Sequence, residues 1–238
     1  MTEDLTRGGL DAGRPSSLSS RPRRLSLILI LAGLTGIGPI GMDVYLPGLP
    51  QLARDLGVSQ SAAQFTLTLN VIGLVLGQLL LAPLTDQRGR RGILLASIAV
   101  VLVTSAAAVA APSLAVLSAL RLLQGIGSAA AIAIARAIGS DVASGRAAAR
   151  LFSLFITISA VGPMLAPLVG AGLLDWSGTW RSAFAFLTAF ALILLMATWA
   201  CVPETLAPES RHDGGFTQIG RAFRGLIGDR VFLGYAGT

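Results

Sequence analysis

The 238-residue sequence has no lysine, a single cysteine, a single histidine and few charged side chains. Because Cys201 is the lone cysteine, a disulfide within the sequence and a cysteine-based metal cluster are excluded. His212 has no second histidine to pair with, and neither a Ser/His/Asp set nor a Walker-type phosphate loop is present. These absences argue against an enzyme and against ATP-driven transport, and we expect no cofactor and no metal.

Charged residues make up only 13% of the sequence and hydrophobic residues 53%, whereas a soluble domain contains about 25% charged residues. The long charge-free runs are Leu25–Met42, Leu56–Thr85, Gly92–Leu120, Leu151–Leu174 and Ser182–Val202. A helix needs roughly 20 mostly apolar residues to cross a bilayer, and a membrane strand would alternate polar with apolar residues. The runs do not alternate. They predict an all-α membrane protein.

The runs divide the chain into a tail, six spans and a final segment. We expect spans near residues 25–46, 61–84, 92–110, 113–136, 149–174 and 181–202. Residues 1–24 are rich in Arg, Ser, Gly and Pro, which is typical of a disordered tail. Residues 203–230 are expected to form a cytoplasmic loop, and residues 231–238 to begin an incomplete seventh span.

All eighteen basic residues are arginine, and most fall in the tail, two of the loops and the final segment. Only Arg54 and Arg181 lie on the opposite side of the predicted spans, and Arg121 lies within one. Since arginine-rich loops stay in the cytoplasm, we expect a cytoplasmic N-terminus. The arginines are not gathered in one patch, so a nucleic-acid partner is not expected. The lysine-free, Ala- and Gly-rich composition suggests a bacterial gene, and therefore the bacterial inner membrane.

A weak internal repeat is also present. The segments Leu84–Gly89 and Leu173–Gly178 both have the pattern Leu-x-Asp-x-x-Gly, 89 positions apart. Three helices duplicated with inverted topology would produce this spacing, although chance similarity in an Ala/Gly/Leu-rich chain would also do so.

Four segments in order resemble a known family. They are "GMDVYLPGLPQLARDLGVS", "GQLLLAPLTDQRGRRGILL", "LRLLQGIGSAA" and "GPMLAPLVGAGLL". Together they resemble the major facilitator superfamily and, within it, the drug:proton antiporters of the bicyclomycin/chloramphenicol resistance (Bcr/CflA) group. The resemblance implies the N-terminal six-helix bundle of a twelve-span fold, built as a 3+3 inverted repeat. The second segment departs from the usual pattern at Ala82 and Gln87.

Arg121 and Asp43 are the charged residues that stand out in the predicted spans. Arg121 lies nine residues beyond Pro112, about 13 Å along a helix, and a charge at that depth needs water or a partner. Asp43 is the candidate partner and proton carrier, because burial disfavours an ionised carboxylate while a nearby guanidinium favours it. The alternatives are a snorkelling arginine and an aspartate that caps a turn at the interface.

Four polar residues are candidates for the substrate cavity: Tyr45, Asn70, Gln78 and Gln124. Asn70 and Gln78 are eight residues apart and so lie on about one helix face. Each could line the cavity or hydrogen-bond to a neighbouring helix.

The resemblance implies two further groups of residues. A conformational latch between the halves of the transporter would consist of Asp86, Arg88, Gly89, Arg90 and Arg91. An antiporter motif that bends the fifth span would consist of Gly162, Pro163, Pro167 and Gly170. The plainer interpretations are a charged turn that sets topology and small residues that pack closely.

The function that these patterns predict is proton-coupled export of a small drug-like solute from the cytoplasm. The expected partners are the drug, protons, the lipid bilayer and a C-terminal six-helix half, without which we expect no transport. The alternatives are a proton-driven importer of a small metabolite and a non-transporting half that assembles with or regulates a partner.

Overall fold

A computed structural model describes residues 21–81 and 89–202, with side chains described within 25–79 and 89–202. In these residues, the six spanning helices, numbered first to sixth here, are Arg21–Asp43, Gln60–Leu81, Arg90–Val109, Leu114–Val142, Gly145–Ser177 and Arg181–Cys201. Each is long and apolar enough to cross a membrane. The predicted all-α, six-span membrane fold is therefore confirmed. The predictions for residues 1–20, 82–88 and 203–238 lie outside the described residues.

The first helix starts and stops earlier than the expected span 25–46. It begins at Arg21, so residues 21–24 are helical rather than part of a disordered tail, and it ends at Asp43. A short 3₁₀ turn, Leu46–Gly48, and a short helix, Leu49–Asp55, follow at once. The prolines of "YLPGLP" explain the break, because proline donates no backbone hydrogen bond and favours the first turn of a new helix. Asp43 therefore lies at a corner of the chain.

The fourth and fifth helices are longer than the expected spans. The fourth continues to Val142, so Arg136, at the end of the expected span, lies well inside a helix. The fifth already begins at Gly145, so only a tight turn joins the two helices. Gly145 itself has a φ of 54°, a left-handed conformation that glycine adopts without strain.

The packing of the helices follows the expected inverted repeat. The second helix packs on the fourth just as the fifth packs on the first, and the third packs on the sixth. An axis relating helices one to three with helices four to six produces these equivalent pairs. The sequence "GIG" also occurs at Gly36–Gly38 and again at Gly125–Gly127, with the same 89-residue offset. The repeat therefore extends beyond the two loop motifs.

Glycines allow the equivalent helix pairs to approach closely. A Cβ atom on Gly73 would overlap the carbonyl oxygen of Leu122, and one on Gly125 would overlap that of Asn70. In the equivalent pair, a Cβ on Gly170 would overlap the carbonyl oxygen of Val44. Small residues at such crossings let membrane helices pack through their backbones.

The apolar core consists of two clusters, one near each end of the bundle. One includes Leu94 and Phe155, near the end that contains Arg90 and Arg91, which we call the arginine end. The other includes Phe184 and Trp180, near the end that contains Asp43, which we call the tryptophan end. Buried polar side chains of the third and fourth helices lie between the clusters. The candidate site is in this polar layer.

Candidate functional site

Arg121 is completely buried at the centre of the polar layer. Its Nη1 donates to the carbonyl oxygen of Gly41, 3.0 Å away, and to the side-chain oxygen of Gln124. The guanidinium carbon lies 4.5 Å from the centre of the Tyr45 ring and 5.8 Å from that of Phe184. Cation–π contacts of this kind strengthen when the cation is removed from water. The cation is thus held by the first, fourth and sixth helices.

Two more helices hold Arg121 indirectly. The Gln124 Nε2 donates to the Ser105 hydroxyl at 2.6 Å, which connects the fourth helix to the third. Asn70 of the second helix donates from Nδ2 to the backbone carbonyl of Arg121 at 2.9 Å. The close backbone crossing of the second and fourth helices makes this last bond geometrically possible. Five of the spanning helices therefore meet at one arginine.

Tyr45 is fixed beneath the guanidinium by its own hydrogen bond. Its hydroxyl lies 2.9 Å from the Thr66 oxygen, and Thr66 in turn donates to the Ala63 carbonyl at 2.7 Å. Because the single hydroxyl proton of Thr66 is used in that bond, Tyr45 must be the donor to Thr66. The ring is thereby held with its face toward Arg121.

The Gly41 carbonyl lies in the last turn of the first helix, where carbonyl groups lack helical partners. The guanidinium satisfies this carbonyl and places a positive charge at the negative end of the helix dipole, a favourable arrangement. Asp43 ends the same helix. An ionised carboxylate at a helix C-terminus is repelled by the dipole, so Arg121 compensates for an otherwise unfavourable position of Asp43.

The structure does not pair Asp43 directly with Arg121. Asp43 is half-buried, and it makes no hydrogen bond or salt bridge with any residue that the structure describes. The two groups interact only through space. Within the described residues, the Nε and Nη2 atoms of Arg121 also lack hydrogen-bond partners. Two donor atoms of the Arg121 guanidinium are therefore unused within the described residues, and the nearby Asp43 carboxylate is unpaired there.

Three of the four predicted cavity residues belong to this cluster. Tyr45, Asn70 and Gln124 are buried and use their polar groups in bonds between helices. Gln78 is exposed on the second helix and makes no hydrogen bond within the described part of the chain, so the structure does not bring it to Arg121.

Three residues of the site were not predicted: Thr66, Ser105 and Phe184. Small hydroxyl side chains are common in membrane helices as packing residues, and a phenylalanine in an apolar run has no distinguishing mark. No feature of the local sequence separates these three residues from their neighbours.

Gly89, Arg90 and Arg91 of the predicted latch are described, whereas Asp86 and Arg88 lie outside the described residues. Gly89 has a φ of 91° and directly precedes the third helix as its N-cap residue. This backbone conformation is left-handed and strongly favours glycine. The turn itself therefore requires a glycine at this position.

Arg90 and Arg91 tie the third helix to two others at the arginine end. Arg90 forms a salt bridge with Asp141 and donates to the Ala137 carbonyl at 2.9 Å, both near the end of the fourth helix. Arg91 donates from Nη2 to the Trp199 carbonyl of the sixth helix at 2.7 Å. Asp141 was not predicted as a site residue, because it lies about 50 positions from its partner in the sequence.

The tryptophan end is held by a second set of bonds that the sequence did not predict. Gln51 donates to the Gly178 carbonyl at 2.7 Å and accepts from the Trp180 backbone N–H at 2.8 Å. The Trp180 indole donates to Asp55 at 3.0 Å. Arg181 donates from Nε and Nη2 to carbonyl groups of the turn between the third and fourth helices. Hydrogen bonds thus connect the short helix Leu49–Asp55 to the start of the sixth helix.

The predicted antiporter motif lies in a helix that is continuous from Gly145 to Ser177 despite Pro163 and Pro167. Gly162 lines an apolar cavity of about 320 Å³ between the first, fifth and sixth helices. Gly170 lies against the Val44 carbonyl. The motif therefore places the fifth helix directly against the corner that contains Asp43 and Tyr45.

Among the described residues, no group of three or more His, Cys, Asp or Glu could hold a metal ion.

Comparison with known proteins identifies relatives of the whole described bundle. The family model described as Major Facilitator Superfamily matches residues 25–237. The chain is 37% identical over 216 residues to the Uncharacterized MFS-type transporter YdgK of Bacillus subtilis (strain 168), covering 90% of this chain and 54% of that protein. It is 30% identical over 217 residues to Multidrug resistance protein D of Escherichia coli (strain K12), covering 90% and 53%.

A third relative is the Chloramphenicol resistance protein of Pseudomonas aeruginosa, which is 34% identical over 179 residues, covering 75% of this chain and 42% of that protein. Among solved structures, the proton:xylose symporter XylE bound to 6-bromo-6-deoxy-D-glucose superposes with a TM-score of 0.68 at 19% identity, covering 89% of this chain and 51% of that chain. The chain spans about half the length of the curated relatives it matches.

Proposed function

This chain belongs to the major facilitator superfamily, and from that membership we propose that it takes part in the proton-coupled export of a small drug-like solute. The family predicted from four sequence segments is confirmed. The chain is a multi-pass membrane protein of a family of small-molecule transporters. Among its relatives, two are named as resistance proteins for multiple drugs and for chloramphenicol, which supports export over import.

The observation that most supports proton coupling is the state of Arg121 and Asp43. Among the described residues, a fully buried guanidinium with two unused donors lies near a carboxylate that has no direct partner. When Asp43 is ionised, it offers those donors an anionic acceptor. When Asp43 is protonated, the attraction weakens and an acceptor group of a bound solute competes for the same donors. Solute binding and proton release thus become mutually dependent.

Arginine suits this role because its guanidinium stays charged throughout the cycle. The bonds to Gly41 and Gln124 hold the cation within reach of Asp43 in both states of that carboxylate. The aromatic faces of Tyr45 and Phe184 exclude water from one side of the cation, which strengthens its remaining electrostatic interactions. Movement of the guanidinium would change the contacts of all five helices that meet at Arg121.

The proposed orientation places the arginine end in the cytoplasm of a bacterial cell, in accordance with the positive-inside rule. In the proposed transporter, a second six-helix bundle covers the polar layer from the other side. Alternating access then results from rocking of the two bundles about a site near the membrane midplane. The Arg90–Asp141 salt bridge lies where a latch at the cytoplasmic side would act.

The experiment measures proton release by the purified chain in unbuffered detergent solution when chloramphenicol is added. Protons should be released by the wild type, detected with a pH indicator, and Asp43→Asn should abolish the release. Arg121→Lys keeps the charge but loses the planar fork, so it should reduce the signal partly, and Arg121→Ala almost completely. The matched control is Asp175→Asn, which alters an exposed carboxylate at the end of the fifth helix.

Proton release by Asp43→Asn at the wild-type level would show that the proton carrier lies elsewhere. Equal losses in Asp43→Asn and Asp175→Asn would show that net charge, rather than this site, determines the signal.

A further inference from the structure

A second cavity lies between the fourth and fifth helices, toward the arginine end. Its volume is about 530 Å³, within the range of roughly 300–1,000 Å³ that is usual for small-molecule sites. The residues that line it are Arg136, Phe152, Phe155, Ile156, Ser159 and Ala160. None of them belongs to the cluster around Arg121 or to the predicted motifs.

Arg136 supplies a cation with no counter-ion among the described residues. It lies six residues before the end of the fourth helix, about 9 Å along the helix axis, and it is exposed to the cavity. Its guanidinium makes no hydrogen bond, salt bridge or ring contact with any described residue. The carboxylate next along the helix, Asp141, is already bound to Arg90. No acidic side chain lines the cavity.

The opposite wall is aromatic and rigid. The rings of Phe152 and Phe155 meet edge to face, with centroids 5.5 Å apart and planes at 79°, a favourable aromatic geometry. Phe155 is only 3% exposed and is anchored in the apolar core. Ile156 is 70% exposed and extends this wall. Ser159 adds a hydroxyl that makes no hydrogen bond with described residues.

From this arrangement we infer that the cavity binds aromatic carboxylates, and that solutes of this class are substrates that enter the transport path from the arginine end. The aromatic body packs on Phe152 and Ile156, and the carboxylate pairs with the fork of Arg136. A guanidinium binds a carboxylate through two parallel hydrogen bonds, which is stronger and more specific than a neutral contact. The inference rests on the proposed function only in treating the bound solute as one that is transported.

The test is equilibrium binding of tritiated 2-naphthoate to the purified chain in phosphatidylcholine nanodiscs. The neutral isostere 2-naphthamide should compete at least about tenfold more weakly than unlabelled 2-naphthoate, because it cannot form a charge-assisted pair. Arg136→Gln should weaken 2-naphthoate binding by about tenfold or more for the same reason. Phe152→Leu should weaken binding of both compounds, since it removes the aromatic surface.

The matched control is Arg146→Gln, which removes an exposed arginine from the fifth helix at the same end without touching the cavity. Its affinity for 2-naphthoate should equal that of the wild type. A second series replaces part of the phosphatidylcholine by phosphatidylglycerol and should leave the affinity unchanged. Inhibition by phosphatidylglycerol that depends on Arg136 would show a lipid headgroup in the cavity and overturn the inference.

Equal binding of 2-naphthoate by the wild type and Arg136→Gln, or equal competition by the acid and the amide, would also overturn it. Neither result bears on Asp43. Conversely, Arg136-dependent binding together with normal proton release by Asp43→Asn would leave this inference standing and refute the proposed proton coupling.

Discussion

Replacement of Gly170 by alanine should destabilise the bundle, because the added methyl group would overlap the Val44 carbonyl oxygen. The overlap is with backbone, so no side-chain rotation relieves it and the fifth helix must move away from the first. Overpacking of this kind costs about 1–3 kcal/mol. For a protein of this size, each kcal/mol lowers the melting temperature by roughly 2–4 °C, so we expect a decrease of about 2–12 °C for Gly170→Ala.

The assay is thermal unfolding in detergent, followed by intrinsic tryptophan fluorescence. Trp180 is a suitable reporter because only 1% of its surface is exposed and it lies at the same end of the bundle as Val44. The matched control is Gly172→Ala, on the same helix. A Cβ at Gly172 meets nothing within 4 Å, and alanine favours a helix over glycine by up to about 1 kcal/mol, so this variant should be as stable as the wild type or slightly more stable.

Two results would contradict a close contact at Gly170: Gly170→Ala could melt with the wild type, or both alanine variants could be destabilised equally. The first result would mean that the fifth and first helices are not in backbone contact at this point. The second would mean that glycine is required for helix flexibility and not for close approach. A selective loss in Gly170→Ala would support a contact that also holds the corner containing Asp43.

Two other predictions concern the tryptophan end and the topology. Gln51→Leu removes two hydrogen bonds at the turn before the sixth helix. Water can reach these partly exposed groups, so each bond contributes about 0.5–1.5 kcal/mol net, and the melting temperature should fall by several degrees. Gln60→Leu, at an exposed position, is the control, and equal stability of the two variants would contradict the role of Gln51. In a Cys201→Ser background, a cysteine at Ser59 should react with an impermeant thiol reagent added outside intact cells, and one at Ser144 should not. Labelling at Ser144 would reverse the proposed orientation.

The number and type of the spanning helices could be predicted from the sequence, because the requirement is local. A bilayer core of fixed thickness demands a run of apolar residues of a certain length, and such runs are visible without knowledge of the fold. The family was also predictable, since four ordered segments suffice to identify it. Arg121 stood out for a similar reason: a charge in an apolar span is costly wherever the helix lies.

The partners of Arg121 could not be predicted in this way. Asp43 was the obvious counter-ion in the sequence, yet the hydrogen bonds of the guanidinium go to Gly41 and Gln124. Backbone carbonyls exist at every position, so no pattern indicates which one will be left free at a helix end. The break after Asp43, which frees the Gly41 carbonyl, depends on how the chain turns into the short helix.

The sequence by itself indicated six helices long enough to cross a membrane, a resemblance to the major facilitator superfamily, and an arginine, Arg121, within a span. Only the tertiary structure decided what surrounds that arginine and that Arg136 faces a cavity between the fourth and fifth helices. The lipid bilayer requires a certain length and hydrophobicity of each helix separately, whatever its neighbours are. Hydrogen bonds and cavities arise between helices far apart in the chain, and close glycine crossings determine how near those helices lie to one another.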